Sequence, residues 1–126
     1  MDPDTIHELF SEFGVVHVRR MFGGAGIYAG DVMFGLVSDG QIYLKADADT
    51  VPAFERENCA PFQYDTKTGK RTITSYWRMP DRLYDDAAEL AQWAKAALGI
   101  AQRKRKPIRK TPARAVRPLS RRRRKR

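Results

Sequence analysis

The chain has 126 residues, 42% of them hydrophobic, which is enough for one domain with a modest core. Its formal net charge is +9, and its single cysteine, Cys59, excludes an internal disulfide and a cysteine-rich zinc site. The sequence has neither a signal peptide nor an apolar run long enough to span a bilayer. We therefore expect a cytoplasmic protein, with association with the nucleoid left open.

The two parts of the chain differ in the sign of their charge. Residues 101–126 contain 14 of the 24 Lys and Arg and none of the 15 Asp and Glu. Residues 1–100 therefore contain 10 basic and 15 acidic side chains, a net charge of −5. We predict an acidic domain over residues 1–100 and a basic tail over residues 101–126.

The first predicted element is an amphipathic helix. Asp2 and Pro3 are typical of a helix start, with a capping acceptor followed by proline in the first turn. Gly14 stands where a C-cap glycine belongs. The apolar residues between them follow at helical spacing: Ile6, Leu9, Phe10 and Phe13.

The middle of the chain predicts an antiparallel meander with short turns. Residues 15–21 have the composition of a strand, residues 29–31 that of a turn, and residues 31–37 alternate with Val32, Phe34 and Leu36 on one side. Asp39-Gly40 is a strong two-residue hairpin signal. Residues 41–45 form the returning strand, with Ile42 and Leu44 facing inward and Tyr43 outward.

A glycine-rich stretch, Met21-Phe22-Gly23-Gly24-Ala25-Gly26, lies between the first two strands. We predict a bent hairpin at the centre of the sheet, with Met21 and Phe22 in the core beneath it. A phosphate-binding loop is the alternative. It is disfavoured because the glycine order differs from G-x-G-x-x-G and because a strand follows where a helix is needed.

The second half predicts a short helix over residues 52–57, capped by Asp49 or Thr50, an extended run over residues 60–64, a polar loop over residues 65–71 and a strand over residues 72–79. A final helix begins at Asp85-Asp86 and ends at Gly99, with an apolar face of Ala87, Leu90, Ala91, Ala94 and Leu98. The predicted fold class is α+β in two layers, an antiparallel meander sheet with helices from both ends of the chain on one face.

The tail has no aromatic residue and three prolines, so it is predicted to be disordered. Its cations are predicted to bind nucleic-acid phosphates without reading the sequence. If eight of them contact phosphates, the logarithm of the DNA-binding constant K falls with log salt at a slope of about −7.

A merely solubilising tail and a nuclear-localisation signal are the alternatives. A membrane is not an expected partner, because no lipid anchor or apolar face accompanies the charge. The predicted nucleic-acid-binding residues are Arg103, Lys104, Arg105, Lys106, Arg109, Lys110, Arg114, Arg117, Arg121, Arg122, Arg123, Arg124, Lys125 and Arg126.

No spacing in the sequence indicates a catalytic or metal site. Cys59 with His7 and His17 could supply a nucleophile and a base, but a small buried thiol explains Cys59 as well. The carboxylate pairs Asp47/Asp49 and Asp85/Asp86 fit helix starts better than acid–base catalysis. We predict no enzyme activity, no metal and no cofactor.

Two further sets of residues, one cationic and one aromatic, lie on the predicted strands of the sheet. Arg19, Arg20, Lys45 and Arg78 can form a basic strip, although pairing with local carboxylates is favoured. Tyr28, Tyr43, Tyr76 and Trp77 can line an open face, which would then bind a protein partner or a second copy of the chain. For Trp77 we favour a place in the core.

The chain resembles the TfoX/Sxy N-terminal domain family from about Asp4 to about Leu98. The resemblance is carried by Arg20-Met21-Phe22-Gly23-Gly24, Gly26-Ile27-Tyr28, Met33-Phe34, Tyr43-Leu44-Lys45-Ala46-Asp47, and Ser75-Tyr76-Trp77 with Pro80. It implies a small α+β domain of bacterial proteins, some of which regulate competence for DNA uptake together with the cyclic-AMP receptor protein at promoters. It carries over no catalytic residues. Competence regulators of this family usually have a second, helical domain where this sequence has the basic tail.

Three functions are consistent with these observations. The first is a regulatory adaptor, possessing a domain that binds a protein partner in transcription and a tail that adheres to DNA. The second is a small-molecule-binding or enzymatic domain with a solubilising tail. The third is a structural nucleoid protein that acts through the tail alone.

Overall fold

The computed structural model describes residues 1–21 and 23–105, with side chains through Arg103. Phe22 and residues 106–126, and with them most of the predicted disordered tail, lie outside the described residues. The helices are α1 (Pro3–Leu9), α2 (Val51–Arg56), a 3-10 helix (Asp81–Asp85) and α3 (Ala87–Arg105). The strands are β1 (His17–Met21), β2 (Gly24–Ala29), β3 (Val32–Ser38), β4 (Gln41–Lys45), β5 (Pro61–Thr66) and β6 (Gly69–Arg78).

The six strands form one antiparallel sheet in the order β1-β2-β3-β4-β6-β5. The predicted Asp39-Gly40 turn joins β3 to β4, and both residues have positive φ angles, 52° and 73°, as a type I′ turn requires. β6 returns beside β4, where Tyr43–Lys45 pair with Tyr76–Arg78. This leaves β5 outermost, so the chain forms a meander through β4 and a separate hairpin after it.

The hydrophobic core lies on one face of the sheet, where side chains from all the helices pack in a single cluster. Phe34 of β3 is fully buried and meets the ring of Phe10 edge-on at 5.7 Å. Phe13 packs on Phe34 at 5.1 Å, so the C-terminal end of the predicted apolar stripe, which lies just beyond the end of α1 at Leu9, is held by this one strand. The predicted α+β architecture, with helices on one face of an antiparallel sheet, is confirmed.

The side chains of β3 do not alternate as the sequence predicted. Ile27 pairs with Gly35 and Tyr28 with Met33, so Phe34 is an extra residue in a β-bulge. Because of this bulge, Phe34 and Val37 both face the core, and Leu36 faces the opposite side.

The final helix α3 runs past Gly99 to Arg105, so the predicted helix end at Gly99 is wrong. Its buried stripe extends from Leu90 and Ala94 through Ala97 to Ala101, each at most 6% exposed. Alanines at this spacing let the helix axis lie close to β3 and β4, so the packed face extends beyond the glycine. Residues 101–105, which the sequence assigned to the tail, are therefore part of this helix.

Residues 65–71 form a hairpin rather than the predicted loop. Thr66 pairs with Gly69 across a two-residue turn, and the pairing continues from Asp65–Lys70 to Phe62–Ile73. The alternation that identifies a strand is absent here because side chains on both faces are polar and most are exposed.

Arg82 connects the end of α2 to α3. Its guanidinium donates hydrogen bonds to both carboxylate oxygens of Glu57 and both of Glu89, at 2.8–3.1 Å. The bonds from Arg82, followed by one from the indole of Trp93, lower the pKa of Glu89 from 4.5 to about 2. The bond from Arg82 also lowers the pKa of Glu57.

Because the folded-state pKa of Glu89 is depressed, its stabilising contribution is present above pH 4.5 and is lost as the pH falls toward about 2. We expect Arg82→Gln to reduce stability at pH 7 and to flatten its decline between pH 5 and pH 2. The measurement is urea unfolding across this pH range, with Lys95→Gln, at an exposed site on α3, as the control. Parallel pH profiles for Arg82→Gln and wild type would contradict this role of Arg82.

Candidate functional site

The face of the sheet opposite the helices, which we call the open face, carries aromatic and cationic side chains. On β4 the core residues are Ile42 and Leu44, so Tyr43 and Lys45 project outward. The register extends this face to the neighbouring strands, since Tyr43 lies opposite Leu36 on β3 and Arg78 on β6. The open face comprises Arg19, Met21, Tyr28, Met33, Leu36, Tyr43, Lys45, Tyr76 and Arg78, together with Phe62 from β5.

Cations pack against tyrosine rings on this face. The Arg19 guanidinium lies 5.0 Å from the centre of the Tyr28 ring, and the Lys45 ammonium lies 4.8 Å from that of Tyr76. Tyr76 is only 7% exposed although it does not belong to the core cluster. Its burial, with a smaller contribution from Tyr28, raises its pKa to about 12. The open face is therefore packed at its centre rather than uniformly solvated.

A second group of rings extends the open face toward the β5–β6 hairpin. The Tyr43 and Phe62 rings meet edge-on at 5.0 Å, and Phe62 stacks on Tyr64 at 5.9 Å. Tyr64 is 42% exposed. Neither Phe62 nor Tyr64 was a candidate from the sequence, because residues 65–71 resembled a loop and concealed the hairpin that carries them.

The predicted aromatic surface is present for Tyr28, Tyr43 and Tyr76, and Trp77 lies in the core as favoured. The predicted basic strip is divided. Arg78 pairs with Asp81 at 2.9 Å, which confirms ion pairing for this residue.

Arg20 does not join the strip. It shares the helix-bearing side of β1 with Val18, where both line a cleft with Asp2 and Asp39. The cationic side chains that contact tyrosines on the open face are therefore Arg19 and Lys45.

The family-motif residues Arg20, Met21, Gly23, Gly24 and Gly26 form the β1–β2 hairpin, while Phe22 lies outside the described residues. The hairpin exists, but it lies at one edge of the sheet instead of its centre. The prediction that Met21 lies in the core is also wrong, since its methyl group lies over Gly26 on the open face.

Close packing explains why glycine occupies these positions, without a bound ligand. A Cβ on Gly24 would overlap the carbonyl oxygen of Val37, and one on Gly26 would lie 2.7 Å from the Met21 methyl group. Both residues are within β2, and no helix follows them. The phosphate-loop alternative therefore lacks the helix N-terminus that it needs.

Of the predicted nucleic-acid-binding residues, Arg103 is the one whose side chain is described. It donates to Asp47 at 3.2 Å across the domain surface. Lys104 and Arg105 belong to α3. The other eleven predicted residues lie outside the described part of the chain: Lys106, Arg109, Lys110, Arg114, Arg117, Arg121, Arg122, Arg123, Arg124, Lys125 and Arg126.

Cys59 and the carboxylate pairs have ordinary structural places. Cys59 is buried, which raises its thiol pKa, whereas His7 and His17 are exposed on α1 and β1. Asp86 accepts the backbone N–H of Glu89 at the start of α3, and Asp47 accepts those of Asp49 and Thr50 before α2.

The described part of the chain has neither a metal-binding cluster nor a membrane-spanning helix. It contains no group of three His, Cys, Asp or Glu residues that could hold a metal ion. None of its helices combines the length and apolar composition needed to cross a bilayer.

The sequence is similar to known bacterial proteins over most of this domain. It is 32% identical over 87 residues to the DNA transformation protein TfoX1 of Aliivibrio fischeri, an alignment that covers 69% of this chain and 37% of the relative. It is 27% identical over 94 residues to protein Sxy of Escherichia coli, covering 75% of this chain and 44% of the relative. The chain thus spans less than half the length of either relative. The sequence model of the TfoX N-terminal domain matches residues 8–101, and the chain therefore belongs to the TfoX N-terminal domain family.

Proposed function

We propose that this protein is a non-enzymatic regulatory adaptor related to the control of bacterial DNA transformation, with a tail that binds nucleic acid non-specifically. The observation that carries the nucleic-acid part is the separation of charge: 14 cations and no acidic residue in residues 101–126, beside a net charge of −5 in residues 1–100. A polycation of this density releases the counterions of any nucleic acid it meets. The regulatory part is supported by the similarity of the chain to the DNA transformation protein TfoX1.

The open face supports the adaptor role. Protein interfaces are enriched in tyrosine, methionine and arginine, and all three occur here together. Tyr28, Tyr43 and Met33 are half-buried, so they retain apolar surface that a partner can cover. A protein partner in transcription is our first assignment for this face, and a second copy of the chain is the alternative.

The tail is tested in the full chain by changing residues 121–126 to glutamine and titrating labelled duplex DNA at several salt concentrations. Eight tail contacts would contribute about −7 to the slope of log K against log salt, and six lost contacts would make that slope shallower by up to about 5. Two unrelated DNA sequences should behave alike, because phosphate contacts carry no base identity.

The matched control replaces the arginines of residues 121–126 by lysine. Counterion release depends on charge, so this variant should retain nearly all of the salt slope.

Equal binding by the glutamine variant and wild type would refute the tail assignment. Salt-insensitive, sequence-selective binding would mean that the domain itself reads bases. A metabolite that raises the melting temperature would instead favour a small-molecule-binding domain.

A further inference from the structure

The β5–β6 hairpin projects from the sheet as a two-stranded ribbon, which we call the arm and define as residues 62–73. On β6, only Tyr76–Arg78 pair with β4, whereas the part from Gly69 to Ile73 pairs with β5 alone. Side chains on both faces of the distal arm are exposed, including Gln63, Tyr64, Asp65, Lys70, Arg71 and Thr72. The arm therefore contributes little to the core.

Cross-strand contacts between polar groups hold the arm in shape. Gln63 donates to the Thr72 hydroxyl at 3.3 Å, and the Thr66 hydroxyl donates to the Gly69 carbonyl at 2.7 Å next to the turn. Beyond Phe62 and Ile73 the arm has no buried hydrophobic face, and such a two-stranded hairpin is marginal in water. Stability of the domain does not explain why the chain extends this ribbon.

The arm is the part of the acidic domain where cations are concentrated. Lys67, Lys70 and Arg71 are three of the ten basic residues of residues 1–100, and Asp65 is the arm's single acidic residue. Asp65 pairs with Lys70 at 3.2 Å, but both side chains are at least 68% exposed, so the pair is weak and exchangeable. Among the described residues no carboxylate pairs with Lys67 or Arg71.

Other cations of the domain are engaged within it. Arg82 is held by Glu57 and Glu89, and Arg78 by Asp81. The arm's net charge of +2 thus projects into solvent from a domain whose net charge is negative. Charge of this kind is complementary to a polyanion.

We propose that the arm is a second contact site for duplex DNA, in which Lys67, Lys70 and Arg71 bind backbone phosphates while the ribbon lies along the major groove. The major groove of B-DNA, about 12 Å wide, accepts a two-stranded β-ribbon. Arg71 lies directly opposite Tyr64 in the register and Thr72 opposite Gln63, so each face of the ribbon carries hydrogen-bonding groups. This inference rests on the proposed function, since the tail supplies the non-specific attraction and the arm adds an ordered contact.

The test is a salt titration of duplex DNA binding by the full chain carrying Lys67→Gln, Lys70→Gln and Arg71→Gln. Three lost phosphate contacts should make the slope of log K against log salt shallower by about 2–3. The matched control carries Arg20→Gln, Arg56→Gln and Lys95→Gln, which remove the same charge at exposed sites outside the arm. The control slope should change by less than about 1, because distant charges are screened beyond roughly 10 Å at 0.1 M salt.

The outcomes separate this inference from the tail assignment. Equal slopes for the arm variant and the control overturn the arm, and the tail assignment stands if the tail variant still loses binding. If wild type itself does not bind DNA, both proposals fail. A larger loss on single-stranded than on duplex DNA overturns the groove contact and indicates stacking on Tyr64. Lys67→Gln alone, at the exposed turn, serves as a second variant with an expected slope change of about 1 should the triple variant melt early.

Discussion

Replacing Phe34 by alanine should lower the free energy of unfolding by about 3–5 kcal/mol, the usual cost of removing a buried phenyl ring. Phe34 is 0% exposed and contacts the rings of Phe10 and Phe13. The bulged residue lies where α1 meets the sheet, so the cavity would open between the two layers and could not close by a movement of one side chain. Because a domain of this size is stable by only about 5–15 kcal/mol, the variant should be marginal.

The measurement is urea unfolding at pH 7, with Tyr64→Ala as the matched control. Tyr64 is also aromatic and also in a strand, but it is 42% exposed, so its loss should cost less than about 1 kcal/mol. A cost below about 1 kcal/mol for Phe34→Ala would mean that α1 does not dock on β3 as described.

Replacing Gly24 by alanine should cost about 3 kcal/mol, the upper end of the range for overpacking. The new Cβ would overlap the carbonyl oxygen of Val37 on the neighbouring strand. That oxygen belongs to the backbone of the sheet, so relief requires β2 and β3 to separate locally.

Gly26→Ala is the matched control, two residues along the same strand. Its Cβ would meet the Met21 methyl group and the Met33 sulfur, the ends of flexible side chains that can rotate away. Alanine also restricts the unfolded chain, a gain of about 0.4–1 kcal/mol. We expect Gly26→Ala to be nearly neutral in a thermal melt, and equal destabilisation by the two substitutions would contradict the contact at Gly24.

The contacts around Gly24 and Gly26 give the family motif a structural role. In this structure the motif glycines serve the close pairing of β1, β2 and β3 and the packing of Met21, Tyr28 and Met33 above Gly26. They shape one edge of the open face, so a glycine substitution that lowers function should do so through stability or through this surface.

Local patterns in the sequence determined the elements whose signals are complete within a few residues. The Asp2 cap and Pro3 start α1, and the Thr5 N–H donates to Asp2 at 2.8 Å as a cap requires. Asp39-Gly40 determined a type I′ hairpin, because positive φ at two successive positions is tolerated by few other dipeptides. The segregation of charge between residues 1–100 and 101–126 is likewise a property of the sequence alone.

Only the tertiary structure decided which face each residue of an irregular strand occupies. A bulge at Phe34 reverses the alternation of β3, and nothing local to that strand indicates where the register with β2 shifts. In the same way, α3 continues past Gly99 because Ala97 and Ala101 pack on the sheet, and burial of that face outweighs the weak helix propensity of one glycine. The extended runs over residues 60–64 and 72–79 were predicted, but the pairing across residues 65–71 was missed. There the two strands are stabilised by each other's backbone and not by a buried apolar face, and the apolar alternation by which strands are recognised arises only when one face is buried.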